Sequence, residues 1–522
     1  MKQLKTIITP LNLYHFALLV LIVAVPTSNY LMSMSQMMLL TAWIWHGHFG
    51  DKLRALISSK AAIISITLYG LHIIGLIYTS DFDYAFKDLR TKLPLLILPI
   101  ILATMPKLEP KTYTALIWAF AVSILLSSLY SLHIYYSRDI VDTRQISVFI
   151  SHIRFSLCIV MAIFLLFFVL QAPKVHLNLK VVGYLLIGWF IIFLIILGAI
   201  TGIVALVLSV VFLVSINLIT KVKPVFRLAI PVTLLVVVVG TGFYLRWLTI
   251  EYVKPKPINF ANLDKFSSHA NIYLHDTCIF GKENGSYVGI YFCPYELPQA
   301  WAKRSKVDYF GTDKKGQHLS ATLIRYLNSK GYRKDAEGVQ KLTNEEITLI
   351  ENGVANSSYL ISNPIKKAWM QFLFGYEQYL QFHDTRGSSV MQRIELWQAS
   401  INIISKNLFF GVGTGDLPNA FKLELKEMES KLQDSSLRSH NQFLSITVGF
   451  GLIGLSAFLF ILIYPPYHTK KFQDKRYLLF FFIFMLSLLN EDTIESQAGV
   501  TFFAFFNSLL IFGLSSQNKE TL

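Results

Sequence analysis

The sequence predicts an all-α polytopic membrane protein with about twelve transmembrane helices and one large, mainly helical extramembrane loop. Of its 522 residues, 53% are hydrophobic and only 15% are charged, whereas soluble domains usually carry about a quarter charged residues. The apolar residues also occur in runs of about 18 or more with few charges, which is the pattern of membrane-spanning helices. The composition therefore argues against an ordinary soluble enzyme and against intrinsic disorder.

The predicted spans form two blocks, separated by a long polar segment. We expect three regions: 1–249 with spans 1 to 9, 250–440 as a large external loop between spans 9 and 10, and 441–522 with spans 10 to 12 and a short cytoplasmic tail. The predicted spans are 12–28, 30–46, 61–79, 93–105, 113–135, 150–171, 181–198, 200–219, 228–249, 441–464, 477–489 and 498–514.

The formal net charge of +15 indicates how the chain is oriented in the membrane. Most Lys and Arg residues outside the large loop fall in the loops on one side, and the short loops on the opposite side carry more acids than bases. Because cytoplasmic loops are enriched in Lys and Arg, we expect both termini in the cytoplasm and the large loop outside it. The cations form no basic groove, so we expect no nucleic-acid partner.

The external loop contains two of the three cysteines, Cys278 and Cys293. Disulfides form outside the cytoplasm, so we expect these two residues to be bridged. The third, Cys158, falls within a predicted span and is expected to be a packing residue.

A helix followed by a glycine-rich loop is predicted at 388–415. Arg393 and Trp397 fall on one face of the helix at i and i+4. The helix should end near Lys406, before the G-x-G-x-G run that contains Gly413 and Gly415. Such a loop lets the backbone approach a phosphate, although a flexible turn is the more common explanation for this pattern. No βαβ unit accompanies it, so it is not a dinucleotide-binding fingerprint.

His440 and Asn441 lie where the external loop meets the tenth span. A histidine at a membrane border is more often an interfacial anchor than a catalyst, but it can also exchange a proton near neutral pH. Glu491 and Glu495 are one helical turn apart between the last two spans. They could orient His440 or an arginine, or only cap a short loop.

Three cations lie near the external membrane border. Arg154 starts the sixth span, where a charge is costly unless it faces protein, water or an anionic ligand; snorkelling to the interface is the equal alternative. Arg90 and Lys92 precede the fourth span, where interfacial anchoring is the default role. The nearby D-x-D at 81–83 could hold a divalent metal, but this spacing arises easily by chance.

Arginines and a histidine at a lipid boundary fit one reaction class well. Guanidinium groups can stabilise the charge that develops on a departing lipid diphosphate without a metal. A histidine can remove the proton of an acceptor hydroxyl. No phosphate-binding loop of the G-x-x-x-x-G-K-[ST] type occurs, so nothing indicates ATP use.

These motifs together resemble the O-antigen ligase and O-antigen polymerase superfamily. The resemblance rests on R-x-x-x-W at Arg393 and Trp397, on G-V-G-T-G, and on S-H-N-Q-F-L around His440, within 388–462. The stretches S-H-I-R-F-S, K-L-P-L-L-I-L-P and N-E-D-T-I-E-S-Q-A-G-V-T-F-F-A-F-F are similar to ligase-like members. The resemblance implies an inverting, metal-independent glycosyltransferase of the bacterial inner membrane, with a periplasmic loop and no cofactor. It would move a glycan from undecaprenyl diphosphate to lipid A–core.

The resemblance also implies roles for individual residues. His440 corresponds to the family's general base and Arg393 to its loop arginine, which binds the donor diphosphate. Many members carry an arginine within S-R-G near mid-chain, whereas this chain has A-I-T-G at 199–202. Either Arg154 supplies that charge, which we expect, or the donor is bound differently. The other expected diphosphate-binding residues are Arg90, Lys92, Gly413 and Gly415, and the expected supporting residues are Asn441, Trp397, Glu491 and Glu495.

Two alternatives remain open at this point. A polymerase or a protein O-oligosaccharyltransferase of the same superfamily would share most of these motifs. A twelve-span lipid or glycan transporter belongs to a different class, but carriers usually place polar residues or broken helices at mid-membrane. The spans here are nearly free of ionisable residues at their centres, which favours the enzyme.

Overall fold

The computed structural model is mainly helical and divides into two compact units. It describes residues 9–138, 140, 143–173, 175–221, 229–254, 258–360, 364–435 and 437–514. The first unit comprises Met1–Lys221, Leu396–Met428 and Ser435–Leu522, and the second comprises Val222–Glu395 and Glu429–Asp434. The predicted cytoplasmic tail, 515–522, lies outside the described residues.

Helices account for most of the described chain, and four short strands occur in the second unit. The helices are α1 (Pro10–Ala24), α2 (Asn29–His46), α3 (Phe49–Ser58), α4 (Lys60–Ile74), α5 (Phe82–Lys92), α6 (Pro94–Thr104), α7 (Pro110–Ser137), α8 (His152–Leu170), α9 (Leu177–Leu197), α10 (Ile200–Lys221), α11 (Ala229–Val253), α12 (Leu297–Ala302), α13 (Leu319–Ser329), α14 (Ala336–Gln340), α15 (Asn344–Glu351), α16 (Pro364–Phe382), α17 (Ser389–Lys406), α18 (Leu417–Glu427), α19 (Gln442–His468), α20 (Lys475–Asn490) and α21 (Gln497–Ser508). The strands are β1 (Leu274–Asp276), β2 (Lys282–Glu283), β3 (Ser286–Tyr287) and β4 (Gly289–Phe292).

A helix lies within a few residues of each predicted span. Five helical segments of the described chain are long and apolar enough to cross a membrane: α4 with the turn that follows it, α7, α8, α9 and α19. Within the first unit, 78% of the apolar window of α8 is buried, compared with 22% of that of α9. Helix α8 is therefore central to the first unit, whereas α9 lies at its periphery.

Aromatic packing fixes the connection between α20 and α21. The rings of Phe484 and Phe503 stack with their centroids 4.2 Å apart, and the hydroxyl of Tyr477 donates to Asn507 Oδ1 at 2.8 Å. Stacked aromatic pairs contribute beyond the area they bury. The short segment at 491–496 is thus held between two helices that are locked together.

Helix α19 is broken at Gly451, and the glycine-rich loop fills the break. Gly451 has φ of +64° and ψ of −166°, a backbone region that is essentially restricted to glycine. The break frees backbone groups that would be costly if left unpaired in a membrane. The loop pairs with them through four hydrogen bonds: Leu452 N to Leu408 O (2.9 Å), Ile453 N to Phe409 O (3.3 Å), Val412 N to Val448 O (2.9 Å) and Gly413 N to Gly449 O (2.9 Å).

Gly451→Ala should destabilise the protein. The backbone at this position excludes a side chain, and the added methyl group would meet the main chain of Phe409. We expect a loss of at least about 1–3 kcal/mol, measured as a lower melting temperature of the detergent-solubilised protein. Gly70→Ala is the matched control, because this helical glycine of α4 has open space around it. Equal melting temperatures for the two variants would contradict the prediction.

The second unit contains small strands that the sequence analysis did not predict. β1 pairs with β4 and β2 pairs with β3, both antiparallel. The turn between β2 and β3 is Asn284-Gly285, with φ of +54° and +71°, as a two-residue hairpin requires. The unit has its own apolar core around fully buried residues: Trp301, Leu323, Tyr326, Leu327 and Ile350.

A buried ion pair crosses this unit. Glu283 accepts two hydrogen bonds from the guanidinium of Arg325, at 2.8 and 3.1 Å, and a third from Asn356 at 2.7 Å. The guanidinium also lies 3.8 Å from the ring centre of Phe374. Strand β2 and helices α13 and α16 are thereby joined through one ion pair, with the guanidinium contacting α16.

The expected disulfide between Cys278 and Cys293 is wrong. Both thiols are free; Cys278 is exposed and Cys293 is buried. Cys278 lies in a turn after β1, where its amide donates to Asp276 Oδ1. Cys293 follows β4, and its amide donates to the carbonyl of Lys334. The expected compartment of the loop permits a bridge, but the fold places Cys278 at the surface and Cys293 in the interior.

The stability of the second unit should fall as the pH rises from about 4.5 to about 7. Burial, reinforced by Glu283, raises the pKa of Glu377 to about 7, and Tyr252 donates to its carboxyl at 3.1 Å. The folded state therefore holds a proton that the unfolded chain releases near pH 4.5, so the stabilisation is complete below that pH and is lost as the pH approaches 7.

Melting temperatures measured between pH 4 and pH 8 test this expectation. Glu377→Gln should flatten the decline in melting temperature, because the amide cannot ionise. Glu337→Gln, at an exposed position on α14, should keep the wild-type profile. A Glu377→Gln profile that declines as steeply as wild type would contradict the assignment.

Candidate functional site

The carboxylate of Asp492 organises the start of α19. Asp492 is buried, and burial raises its pKa. His440 has φ of +48°, which is uncommon for a residue other than glycine and persists where neighbouring bonds hold it. Asp492 accepts four hydrogen bonds: from Ser439 Oγ (3.0 Å), Ser445 Oγ (2.7 Å), His440 N (3.0 Å) and Asn441 N (3.1 Å).

The imidazole of His440 faces Glu491. Its Nδ1 lies 3.5 Å from Glu491 Oε2, and the His440 side chain is 31% exposed. A carboxylate beside Nδ1 favours the tautomer with the proton on that nitrogen. The other ring nitrogen, Nε2, is then an acceptor that can take a proton.

The residues flanking His440 are also fixed. The indole of Trp397 donates to the carbonyl of Ser439 at 2.8 Å. Asn441 Oδ1 accepts from the amides of Phe443 and Leu444, at 3.0 and 3.2 Å, and so caps α19. Two of the four supporting residues expected from the sequence, Trp397 and Asn441, therefore lie beside His440 and restrain its backbone.

A buried ion network lies next to this segment and is centred on Glu495. Lys92 is 3% exposed and binds Asp88 at 2.7 Å and Glu495 at 2.8 Å. Glu495 also accepts from Arg438 at 3.0 Å and from Gln442 at 3.0 Å. Burial and the nearby Glu495 carboxylate raise the pKa of Asp88. At Glu495 burial acts in the same direction, but Lys92 and Arg438 outweigh it and lower the pKa.

Arg154 lies at the start of α8, close to the same acidic segment. Its charge interacts with the carboxylates of Glu491 and Asp492. Its Nε is buried and has no hydrogen-bond partner in the part of the chain that the structure describes. The cavity that Arg154 lines has a volume of about 10 Å³, which is room for about one water molecule.

The glycine-rich loop does not offer its amides to a ligand. The amides of Gly413 and Gly415 donate to the Gly449 carbonyl (2.9 Å) and to Thr79 Oγ1 (2.7 Å). A Cβ on Gly415 would meet the carbonyl of Asp81, so this glycine permits close backbone packing. The expectation of a phosphate cradle at Gly413 and Gly415 is therefore corrected: in the structure these amides are already used to hold the loop.

The remaining predicted cations have different surroundings. Arg90 is exposed, whereas Lys92, two residues later, is buried in the ion network. The ammonium of Lys92 is thus already paired with two carboxylates, whereas a ligand-binding lysine would need a free ammonium. Arg393 lies in the second unit, and Trp397, Asn441, Glu491 and Glu495 lie with His440 in the first.

Three residues of the candidate site were not singled out from the sequence: Asp88, Arg438 and Asp492. Asp492 lies between Glu491 and Glu495, which the sequence did point to, and Arg438 lies two residues before His440. Asp88 was identifiable, because its i, i+4 spacing from Lys92 on α5 is typical of a helical ion pair. The D-x-D motif contributes a helix cap, since Asp81 accepts from the amide of Tyr84 at 2.9 Å.

Comparison with known proteins adds one finding. A family model described as O-antigen ligase matches residues 347–459. This segment contains Arg393, Trp397, the glycine-rich loop and His440. The resemblance to the O-antigen ligase superfamily is confirmed. Members of this family are membrane glycosyltransferase-like enzymes. A search of curated proteins found no match.

Lys92→Met should be strongly destabilising, in contrast to Arg90→Met. Removing the ammonium leaves Asp88 and Glu495 buried with too little positive charge, a change that typically costs about 3–5 kcal/mol. The exposed Arg90 is the matched control and should change stability by no more than about 0.5 kcal/mol. Thermal unfolding in detergent measures both. If the two variants melted together, Lys92 would not be the counter-ion that the network needs.

Proposed function

We propose that this chain is a ligase-type glycosyltransferase of the bacterial cell envelope. It would move a glycan from undecaprenyl diphosphate to lipid A–core, with twelve spans, cytoplasmic termini and a periplasmic loop at 250–440. The observation that carries the proposal is His440, which is fixed by Asp492, paired with Glu491 and part of the segment that matches the O-antigen ligase family.

In the proposed reaction, His440 acts as the general base. The acceptor hydroxyl attacks the anomeric carbon of the donor sugar while Nε2 of His440 takes the hydroxyl proton. The bond between that carbon and the diphosphate oxygen breaks, and its electron pair leaves with the diphosphate. Attack opposite the leaving group inverts the anomeric centre. Glu491 stabilises the imidazolium that forms, in the way that a carboxylate supports a catalytic histidine elsewhere.

Arg154 and Arg393 are proposed to bind the diphosphate. A guanidinium stays charged and matches phosphate oxygens with parallel N–H groups, so it can stabilise the charge that develops on the leaving group. The support for Arg154 is its position beside Glu491, the carboxylate that faces His440. For Arg393 the support is its position within the family match. The partners of Lys92 argue for a positioning role there.

His440→Ala should abolish most transfer while leaving the protein folded. Loss of a general base typically costs about 10²–10⁴ in rate. The measurement is the lipopolysaccharide profile of a deletion strain complemented with each variant. His468→Ala, at the opposite end of α19, is the matched control and should restore long lipopolysaccharide as wild type does.

The profile also separates the alternatives. A deletion strain that keeps short lipid A–core and accumulates lipid-linked glycan supports the ligase. Persistence of core carrying a single repeat unit would indicate a polymerase, and loss of mass from glycoproteins alone would indicate protein glycosylation. Full rescue by His440→Ala would overturn the role of the histidine in every case.

A further inference from the structure

We propose that Arg438 is a further donor-binding residue, whose guanidinium takes the diphosphate directly beside His440. This inference rests on the proposed function and deepens it. It is carried by the juxtaposition of Arg438 with His440, by the ion network that holds one edge of its guanidinium, and by the N–H groups that this network leaves unused.

The backbone fixes Arg438 close to the histidine. Only Ser439 separates the two residues, so their Cα atoms are no more than about 7 Å apart. Ser439 is itself held at both ends, because its hydroxyl donates to Asp492 and its carbonyl accepts from Trp397. In a displacement at an anomeric carbon, the leaving oxygen and the attacking hydroxyl lie on opposite sides of a single atom. Two side chains this close can therefore contact both.

The guanidinium is oriented but only partly used. Arg438 Nη1 donates to Glu495 at 3.0 Å, and the group lies 5.5 Å from the ring centre of Tyr84. In the part of the chain that the structure describes, Nε and Nη2 have no hydrogen-bond partner, and the side chain is 21% exposed. A planar guanidinium offers five donors on two edges, so one edge can hold Glu495 while another binds two phosphate oxygens.

The surroundings favour a ligand on the exposed side of Arg438. The cavity on its inner side, which Asp88, Lys92 and Glu495 also line, has a volume of about 10 Å³ and so admits at most about one water molecule. A diphosphate does not fit there. Lys92 cannot replace Arg438, because its ammonium is enclosed by two carboxylates and is only 3% exposed.

The ion network explains how the Arg438 guanidinium can stay partly buried when no ligand is bound. The four charges of Asp88, Lys92, Glu495 and Arg438 balance one another, which makes their partial burial tolerable. Glu495 would then be the positioning residue that fixes the plane of the guanidinium. Its own orientation is fixed by Gln442, whose amide donates to it at 3.0 Å.

Binding of undecaprenyl diphosphate in detergent tests the inference. Addition of this lipid should raise the melting temperature of wild type and of His440→Ala, and Arg438→Gln should weaken its binding at least about tenfold, the loss expected for charge-assisted hydrogen bonds. In transfer assays Arg438→Gln should raise the KM for the donor and leave that for the acceptor unchanged. Arg386→Gln, which removes an exposed arginine paired with Asp384, should behave as wild type.

A second variant covers a failure of Arg438→Gln to fold. Arg438→Lys keeps a cation for Glu495 and should therefore fold. It loses the parallel N–H groups of the guanidinium, so it should still bind the lipid more weakly than wild type. Wild-type binding by both folded variants would overturn the role of Arg438 alone. If wild type neither bound undecaprenyl diphosphate nor transferred a glycan, the proposed function itself would fail.

Discussion

The candidate site depends on one buried carboxylate, that of Asp492. An ionised carboxylate away from water is costly unless its oxygens are hydrogen-bonded, and here four donors from the 439–445 segment satisfy it. The same bonds hold His440 in a left-handed backbone conformation. The residues at the start of α19 and those between α20 and α21 are far apart in sequence, and this carboxylate makes them one structural element.

The ion network is an extension of that element. Asp492 and Glu495 belong to the same short turn, so the position of one sets that of the other. Glu495 then connects the turn to Lys92 on α5 and to Arg438 beside His440. The cations near the site thus fall into two kinds. The ammonium of Lys92 is enclosed by two carboxylates, whereas Arg154 and Arg438 keep N–H groups that no described residue accepts.

The sequence predicted helix positions well because apolar run length is a direct physical requirement of a bilayer. It also singled out His440 and both glutamates of the last connection, since polar residues at a membrane border are conspicuous, and the fold brings His440 and Glu491 together. It could not distinguish Arg90 from Lys92, because the surroundings of these two cations depend on tertiary packing. The small hairpin at Asn284-Gly285 carried a recognisable turn signal, but the disulfide expectation rested on compartment alone and contained no geometry.

The glycine-rich loop illustrates why a motif can be identified and still be misassigned. Glycines that let a backbone approach a phosphate also let it approach another backbone, and the pattern alone does not separate the two. In the fold, the loop pairs with the broken helix α19 at 408–413. Its next residues bind the end of α4, where Thr414 donates to the His72 carbonyl, and the connection after α4, where Asp416 accepts from the amide of Ser80. Helix α5, which carries Asp88 and Lys92, begins directly after that point. The loop therefore connects α19, which follows His440, with the segment that leads into α5, which carries Asp88 and Lys92. Its glycines contribute to the site by allowing these close backbone contacts, and not by binding a phosphate.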